Sequence, residues 1–229
     1  MLYMVDSADL KGIKRCAEYF PISGVTTNPT IISSAKSDFK ELLLSIREII
    51  GDDKMLHVQT TSTVAEDIVR EALMIRSLVG GKFYIKIPIT EEGLKAIGLC
   101  KAEGIGVTTT AIFTQQQALI AARAGADFVA PYINRLDNIV SDGVHVVEEI
   151  VKLFKMQNME TKVLAASFKT VEQVHKVSMT GAQSVTINPD LFGMLIYHPL
   201  TMYAIDAFDS DWESVYGNKK ALDLLSEGK

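Results

Sequence analysis

Residues 83–102 read FYIKIPITEEGLKAIGLCKA. The first six, Phe83–Pro88, form an apolar run broken by one lysine, the length and composition of a strand buried on both faces. Glu91–Ala102 then carries apolar residues at helical spacing, and Gly104 stands where such a helix should stop. Strand followed directly by helix is therefore the local unit.

The unit repeats in both directions from this point. Strands are expected at Leu2–Asp6, Val25–Asn28, Met55–Thr60, Phe83–Pro88, Val107–Ala111, Phe128–Tyr132, Val163–Ser167 and Ser184–Asn188. Helical patterns fill the gaps at Asp9–Tyr19, Phe39–Ile50, Val64–Leu78, Glu91–Ala102, Gln115–Ala124, Gly143–Met156 and Val171–Thr180, the first with Ser7 as its N-cap. Two joins even read alike, AGAD at 124–127 and TGAQ at 180–183. Eight such repeats predict an α/β protein of the closed (β/α)8 or TIM-barrel type. An open doubly wound sheet is the competitor, but its GxGxxG fingerprint after the first strand is absent. Beyond strand eight the pattern changes. Pro189–Gly193 and Pro199–Asp206 read as a broken helix, and Phe208–Tyr216, with the only Trp, leads into Lys219–Leu225. The expected organisation is a barrel over residues 1–207 and a C-terminal helical tail over 208–229, which either covers the base of the barrel or, the favoured reading, packs on a neighbouring subunit.

Composition narrows the function. The chain has 229 residues, 48% hydrophobic and 22% charged, enough for a large core and too ordinary for disorder. A net charge of −5 with no dominant basic patch argues against a nucleic-acid partner. Cys16 and Cys100 lack metal-site spacing and read as reduced thiols, and the four histidines show no HExxH pairing, so no metal site is expected. No run reaches the roughly 18 apolar residues of a membrane span, and the expected compartment is the cytoplasm.

The strand faces point to chemistry. Alternation along Phe83–Pro88 turns Phe83, Ile85 and Ile87 toward the helices, so Lys86 faces the barrel interior. Burial disfavours an ammonium, and the free amine is the form that attacks a carbonyl. The bland alternative pairs Lys86 with a buried carboxylate, Asp6 being the nearest in pattern, and the two readings are compatible. Other strands offer polar groups on the same parity near their C-terminal ends: Thr26, Asn28, Gln59, Thr110, Tyr132, Ser167, Thr186 and Asn188. Such a pocket, at the face where barrels keep their chemistry, suits a polyhydroxylated substrate. Arg135 and Ser167 together suit a phosphate; the alternative for Arg135 is a surface salt bridge to Asp137.

At this point the residues resemble a known family. DSAD at 6–9, GVTTNPTII at 24–32, YIKIP at 84–88, APYINR at 130–135 and KVLAASFKT at 162–170 are similar to the small transaldolases, and within them the fructose-6-phosphate aldolase branch. The resemblance covers Met1 to about Gly217. It implies a barrel with a Schiff-base lysine on strand four, no cofactor, and homo-oligomers, pentamers that pair into decamers with the C-terminal helix on an adjacent subunit. Residue by residue it puts the Schiff base on Lys86, the strand-one aspartate on Asp6, the TTNP pair on Thr26 and Asn28, and phosphate binding on Arg135 and Ser167. Gln59 and Tyr132 stand where transaldolases proper carry glutamate and phenylalanine, which, with Thr110 on strand five, sides with the aldolase. The expected activity is reversible class I cleavage of fructose 6-phosphate to dihydroxyacetone and glyceraldehyde 3-phosphate. The alternative is transaldolase transfer of the same three-carbon unit between sugar phosphates, as in the pentose phosphate pathway. Tyr132 is expected to organise proton transfer through a water shared with Gln59 and Thr110, because a phenol in water titrates near 10 and is a poor direct base at neutral pH. Two rivals, a phosphate-binding barrel without chemistry and a deoxyribose-phosphate aldolase, explain fewer of these groups.

Overall fold

The computed structural model describes residues 1–226 of the chain. In order, the elements are β1 (Leu2–Asp6), α1 (Leu10–Tyr19), β2 (Ile22–Thr26), α2 (Pro29–Ser34), α3 (Phe39–Ile50), β3 (Met55–Gln59), α4 (Ala65–Val79), β4 (Phe83–Pro88), α5 (Glu91–Ala102) and β5 (Gly106–Ile112). There follow α6 (Gln115–Arg123), β6 (Phe128–Pro131), α7 (Ile133–Asp137), α8 (Gly143–Met156), β7 (Lys162–Ala165), α9 (Val171–Met179), β8 (Ser184–Ile187), α10 (Pro189–Ile196), α11 (Pro199–Tyr216) and α12 (Ala221–Ser226). The eight strands close into a parallel barrel in sequence order, with β8 paired back to β1. This is the (β/α)8 architecture expected from the strand–helix repeat.

Burial follows strand parity. Val5, Ile85, Ile87, Val107, Val163, Val185 and Ile187 are buried, as are Ile13, Leu43, Ile46, Ile68, Ile97 and Ile150 on the surrounding helices. The other parity fills the inside of the barrel. Met4, Phe128 and Leu164 form one buried cluster, with Met55 and Tyr84 packed on it. Met4, Met55 and Tyr84 share parity with Asp6, Gln59 and Lys86 further along the same strands, so this cluster is an apolar floor beneath the polar layer. Close packing of the wall dictates two glycines. A Cβ on Gly24 would lie 2.3 Å from the carbonyl oxygen of Met55 on β3, and one on Gly93 would lie 2.2 Å from that of Pro88 at the end of β4.

The loops are held by local polar chemistry. Thr114 and Thr170 each open a helix with a reciprocal capping box, to Gln117 and Gln173. The Gln173 side chain also accepts from the Lys169 amide at 2.8 Å, which ties down the loop after β7. At the opposite rim Arg47, only 7% exposed, donates to five carbonyls: Val79, Gly51, Lys54, Gly80 and Lys82. Four lie in the α3–β3 and α4–β4 connections and the fifth, Val79, ends α4, so one guanidinium fork staples the two connections together.

Some local expectations need correcting. Asp9, not Ser7, caps α1: its carboxylate accepts from the amides of Lys11 and Gly12, while Ser7 Oγ accepts from Asp9 N. β2 starts at Ile22, before the Val25 start read from its apolar core, because Ser23 and Gly24 break the pattern without breaking the ladder. The short helices α2 and α7 went unread, having too few turns to show a period. Cys16 on α1 and Cys100 on α5 are buried, and burial raises both thiol pKa values, that of Cys100 to about 11.

By compactness the chain divides into Met1–Phe192 and a second unit from Gly193 onward. In the second unit residues 199–216 form one continuous helix, α11, running through position 207. His198 caps it by accepting from Leu200 N at 3.1 Å, and the Trp212 ring lies tilted at 38° to that of Tyr216 while its Nε1 donates to the Lys219 carbonyl at 2.7 Å. Leu200, Tyr203, Phe208 and Val215 on this helix are exposed.

Candidate active site

Lys86 is 5% exposed and sits in the penultimate position but one of β4, with its side chain inside the ring. Its Nζ donates to the Thr27 carbonyl at 2.6 Å across the barrel wall. Burial lowers its pKa, opposed by the charge of Asp6. Asp6 shifts the other way: burial raises its pKa, opposed by Lys86 and by the hydrogen bond from Thr26. Among the described residues the two make no direct ion pair. Each is instead held by a neutral partner, and burial pushes both toward their uncharged forms while the charge of the other opposes it. The Lys86–Asp6 pairing weighed from sequence is therefore an electrostatic one, compatible with a nucleophilic lysine.

Asp6 is fixed from β2. Thr26 Oγ1 lies 2.7 Å from Asp6 Oδ1 and 2.6 Å from Thr186 Oγ1, so β1, β2 and β8 share one short hydroxyl chain. Asn28 caps α2, its Oδ1 accepting from Ile31 N at 3.0 Å, which orients its amide nitrogen independently of any ligand. Asn188 repeats the device on α10, accepting from Leu191 N at 2.9 Å.

The far wall is aromatic and cationic. Tyr132 Oη is 3.0 Å from Thr110 Oγ1, its ring meets Phe113 edge-on at 5.5 Å, and the Arg135 guanidinium lies 4.8 Å from its centroid. Arg135 does not pair with Asp137 among the described residues: that carboxylate accepts instead from Gly143 N and Gln173 Nε2. Two non-glycine residues here take left-handed backbone, Ala111 at φ 58° and Ser167 at φ 65°. Ala111 lies in the irregular register between β5 and β6 just after Thr110, and the Ser167 carbonyl accepts from Asn134 N at 2.8 Å. Such backbone is uncommon off glycine and gathers at functional sites.

These groups enclose a cavity of about 280 Å³ at the C-terminal ends of the strands. Asp6, Asn28, Lys86, Tyr132, Arg135 and Ser167 all line it. Thr26 and Thr110 stand behind Asp6 and Tyr132, and Gln59 is half-buried beside Lys86 in the β3–β4 register. Ile31 and Lys169 also line the cavity. Neither was read from sequence, since strand parity says nothing of a helix turn or a loop. Lys169, two residues past Ser167, could have been found by extending the phosphate-binding argument along that loop. A larger groove, about 930 Å³, lies elsewhere, between α3 and α4, and carries none of these residues.

One buried residue beneath the cavity was also not singled out. His57 is fully buried, stacks on Tyr84 at 4.7 Å, and places Nδ1 2.8 Å from Thr108 Oγ1. Burial, with the Lys86 charge, pushes its pKa down to about 3.

The fold and the site together define a class: a (β/α)8 barrel built around a buried lysine in a hydroxyl-rich pocket. The chain belongs to the Transaldolase/Fructose-6-phosphate aldolase family, whose profile matches residues 3–228. It is 41% identical over 213 residues to a probable fructose-6-phosphate aldolase of Streptococcus pneumoniae, covering 93% of this chain and 96% of that protein. Solved structures of similar fold include one described as native KDPGal, with a TM-score of 0.58 and 13% identity over 86% of this chain and 84% of the other. A double mutant of flavocytochrome b2 with pyruvate bound gives 0.59 and 12%, over 82% of this chain and 56% of that one. At such identities the likeness is one of fold.

Proposed function

We propose that this chain is a class I aldolase that reversibly cleaves fructose 6-phosphate to dihydroxyacetone and glyceraldehyde 3-phosphate through a Schiff base on Lys86. The observation that carries the reading is Lys86 itself: a buried amine beside Asp6, both driven toward neutrality, in a cavity that also holds Arg135 and Ser167. The name of the Streptococcus relative supports it.

The steps balance without a cofactor. Phosphate is held by Arg135 and Ser167, and Asn28 meets the sugar hydroxyls. Lys86 Nζ adds to the C2 carbonyl while the Asp6 carboxyl delivers a proton to the departing oxygen. Loss of water leaves an iminium ion. A water ordered by Tyr132, Gln59 and Thr110 takes the proton of the C4 hydroxyl, and the C3–C4 electrons move to the iminium nitrogen. Glyceraldehyde 3-phosphate leaves and an enamine remains. Protonation at C3, addition of water to C2 and expulsion of Lys86 release dihydroxyacetone. The transaldolase alternative needs the enamine to wait for an aldose phosphate; Gln59 and Tyr132, in place of glutamate and phenylalanine, weigh against it.

We further propose a cytoplasmic homo-oligomer, pentamer or decamer, in which the exposed apolar side chains of α11 dock on a neighbouring subunit.

The test follows the three-carbon fragment. Fructose 6-phosphate should yield free dihydroxyacetone without erythrose 4-phosphate; product formed only with that acceptor would mean transfer. Borohydride with dihydroxyacetone should add mass to the wild type and none to Lys86→Met. Labelling retained in that variant would place the Schiff base elsewhere.

A further inference from the structure

A second cavity, about 670 Å³, opens beside the first. It lies between α1 and α2 and shares only Asp6 and Ile31 with the Lys86 cavity. Its other lining includes Ser7, Asp9, Lys11, Thr30 and Ser34, all polar.

Strand order fixes which end of a substrate faces it. In a ring of eight, β2 stands opposite β6, with β4 midway between them. On the reading given above, a sugar phosphate held at Arg135 after β6 presents its C2 to Lys86 on β4. Its C1 end then points to the β1–β2 side, toward Asp6 and Asn28. The second cavity begins just there.

Asp6 and Ile31 line both cavities. Asp6 is clamped by Thr26. Ile31 is a half-buried aliphatic side chain on the first turn of α2, its backbone held by Asn28. We propose that the α1–α2 groove is a second donor subsite, screened by Ile31, for hydroxyketones that extend beyond C1 by one or two hydroxylated carbons. Ile31 is then a specificity-determining residue, limiting the donor to three carbons. The hydroxyls and carboxylate of the groove supply partners for the added hydroxyls. The bond chemistry is unchanged: the enamine carbon of the donor joins the aldehyde carbon, its oxygen takes a proton, and water releases Lys86.

The inference rests on the aldolase reading, and the experiment separates the two. Dihydroxyacetone and erythrulose are each added to glyceraldehyde 3-phosphate, and kcat/KM is measured for both donors. Wild type that fails to join dihydroxyacetone overturns the aldolase reading. With that reaction present, Ile31→Ala should raise the erythrulose-to-dihydroxyacetone ratio by at least about tenfold, the low end of what one methylene decides in a binding pocket. Adding Ala35→Trp, which obstructs the groove away from the Lys86 cavity, should abolish the gain. An unchanged ratio in Ile31→Ala, or a gain that survives Ala35→Trp, overturns the subsite. Ile31→Val, which trims one methyl, gives the same comparison if the alanine variant fails to fold.

Discussion

Acid should unfold this protein through His57, a residue outside the reaction. In the fold its pKa is about 3; in the unfolded chain it returns to the ordinary 6.5. The unfolded state therefore binds the extra proton between these values, and stability falls as pH falls. The contribution is fully present above 6.5 and fades as pH drops toward 3. Three and a half units correspond to about 5 kcal/mol in all, of which about 2 kcal/mol is gone by pH 5. Asp6 acts in the opposite sense: its pKa is raised in the fold, so the cost of burying its charge is relieved on acidification. Comparing wild type with His57→Gln cancels the Asp6 effect. Urea midpoints at pH 8 and pH 5 should differ by roughly 1 M more in the wild type than in the variant, taking an m-value of about 2 kcal/mol/M. The variant will be less stable at both values, since Thr108 loses its partner, but the slope is the readout. Equal slopes would refute the reasoning, as would an NMR titration of His57 with a midpoint near 6 in the folded protein.

Three further outcomes are expected. Tyr132→Phe should lower kcat for cleavage by about 10² or more with little change in KM, because the ordered water loses its anchor, leaving transfer to erythrose 4-phosphate as the main activity; undiminished cleavage would remove Tyr132 from proton transfer. Arg135→Ala should raise KM for glyceraldehyde 3-phosphate about 10- to 100-fold while leaving unphosphorylated glyceraldehyde nearly unaffected, and equal effects on both would refute the phosphate role. Arg47→Lys should lower stability by about 3 kcal/mol, or roughly 6–12 °C in Tm, because an ammonium cannot reach five carbonyls; calorimetry showing no shift would contradict this account of the fork.

Much of the barrel was legible because strand and helix periods alternate cleanly around Phe83–Ala102 and again from Gln115 onward. The same parity that exposes Ile85 and Ile87 to the helices turns Lys86 inward, so the central residue could be found from one strand. What parity could not supply was the company it keeps. The Thr26–Thr186 contact joins residues 160 positions apart. Nothing local marks Thr26 as the partner of Asp6 or the Thr27 carbonyl as that of Lys86. Ile31 was missed because PTIISS is too short to show an amphipathic face. The irregular register after Thr110 follows from a left-handed Ala111, and alanine gives no sequence signal for that conformation.

The Arg47 fork lies at the rim opposite the reaction, among connections that enter the strands rather than leave them. Durability and turnover are thus assigned to different ends of one molecule. Loops after the strands can accumulate substitutions that retune the accepted sugars while the underside keeps the scaffold intact. An engineer seeking a hardier catalyst can work beneath the barrel and leave its selectivity untouched.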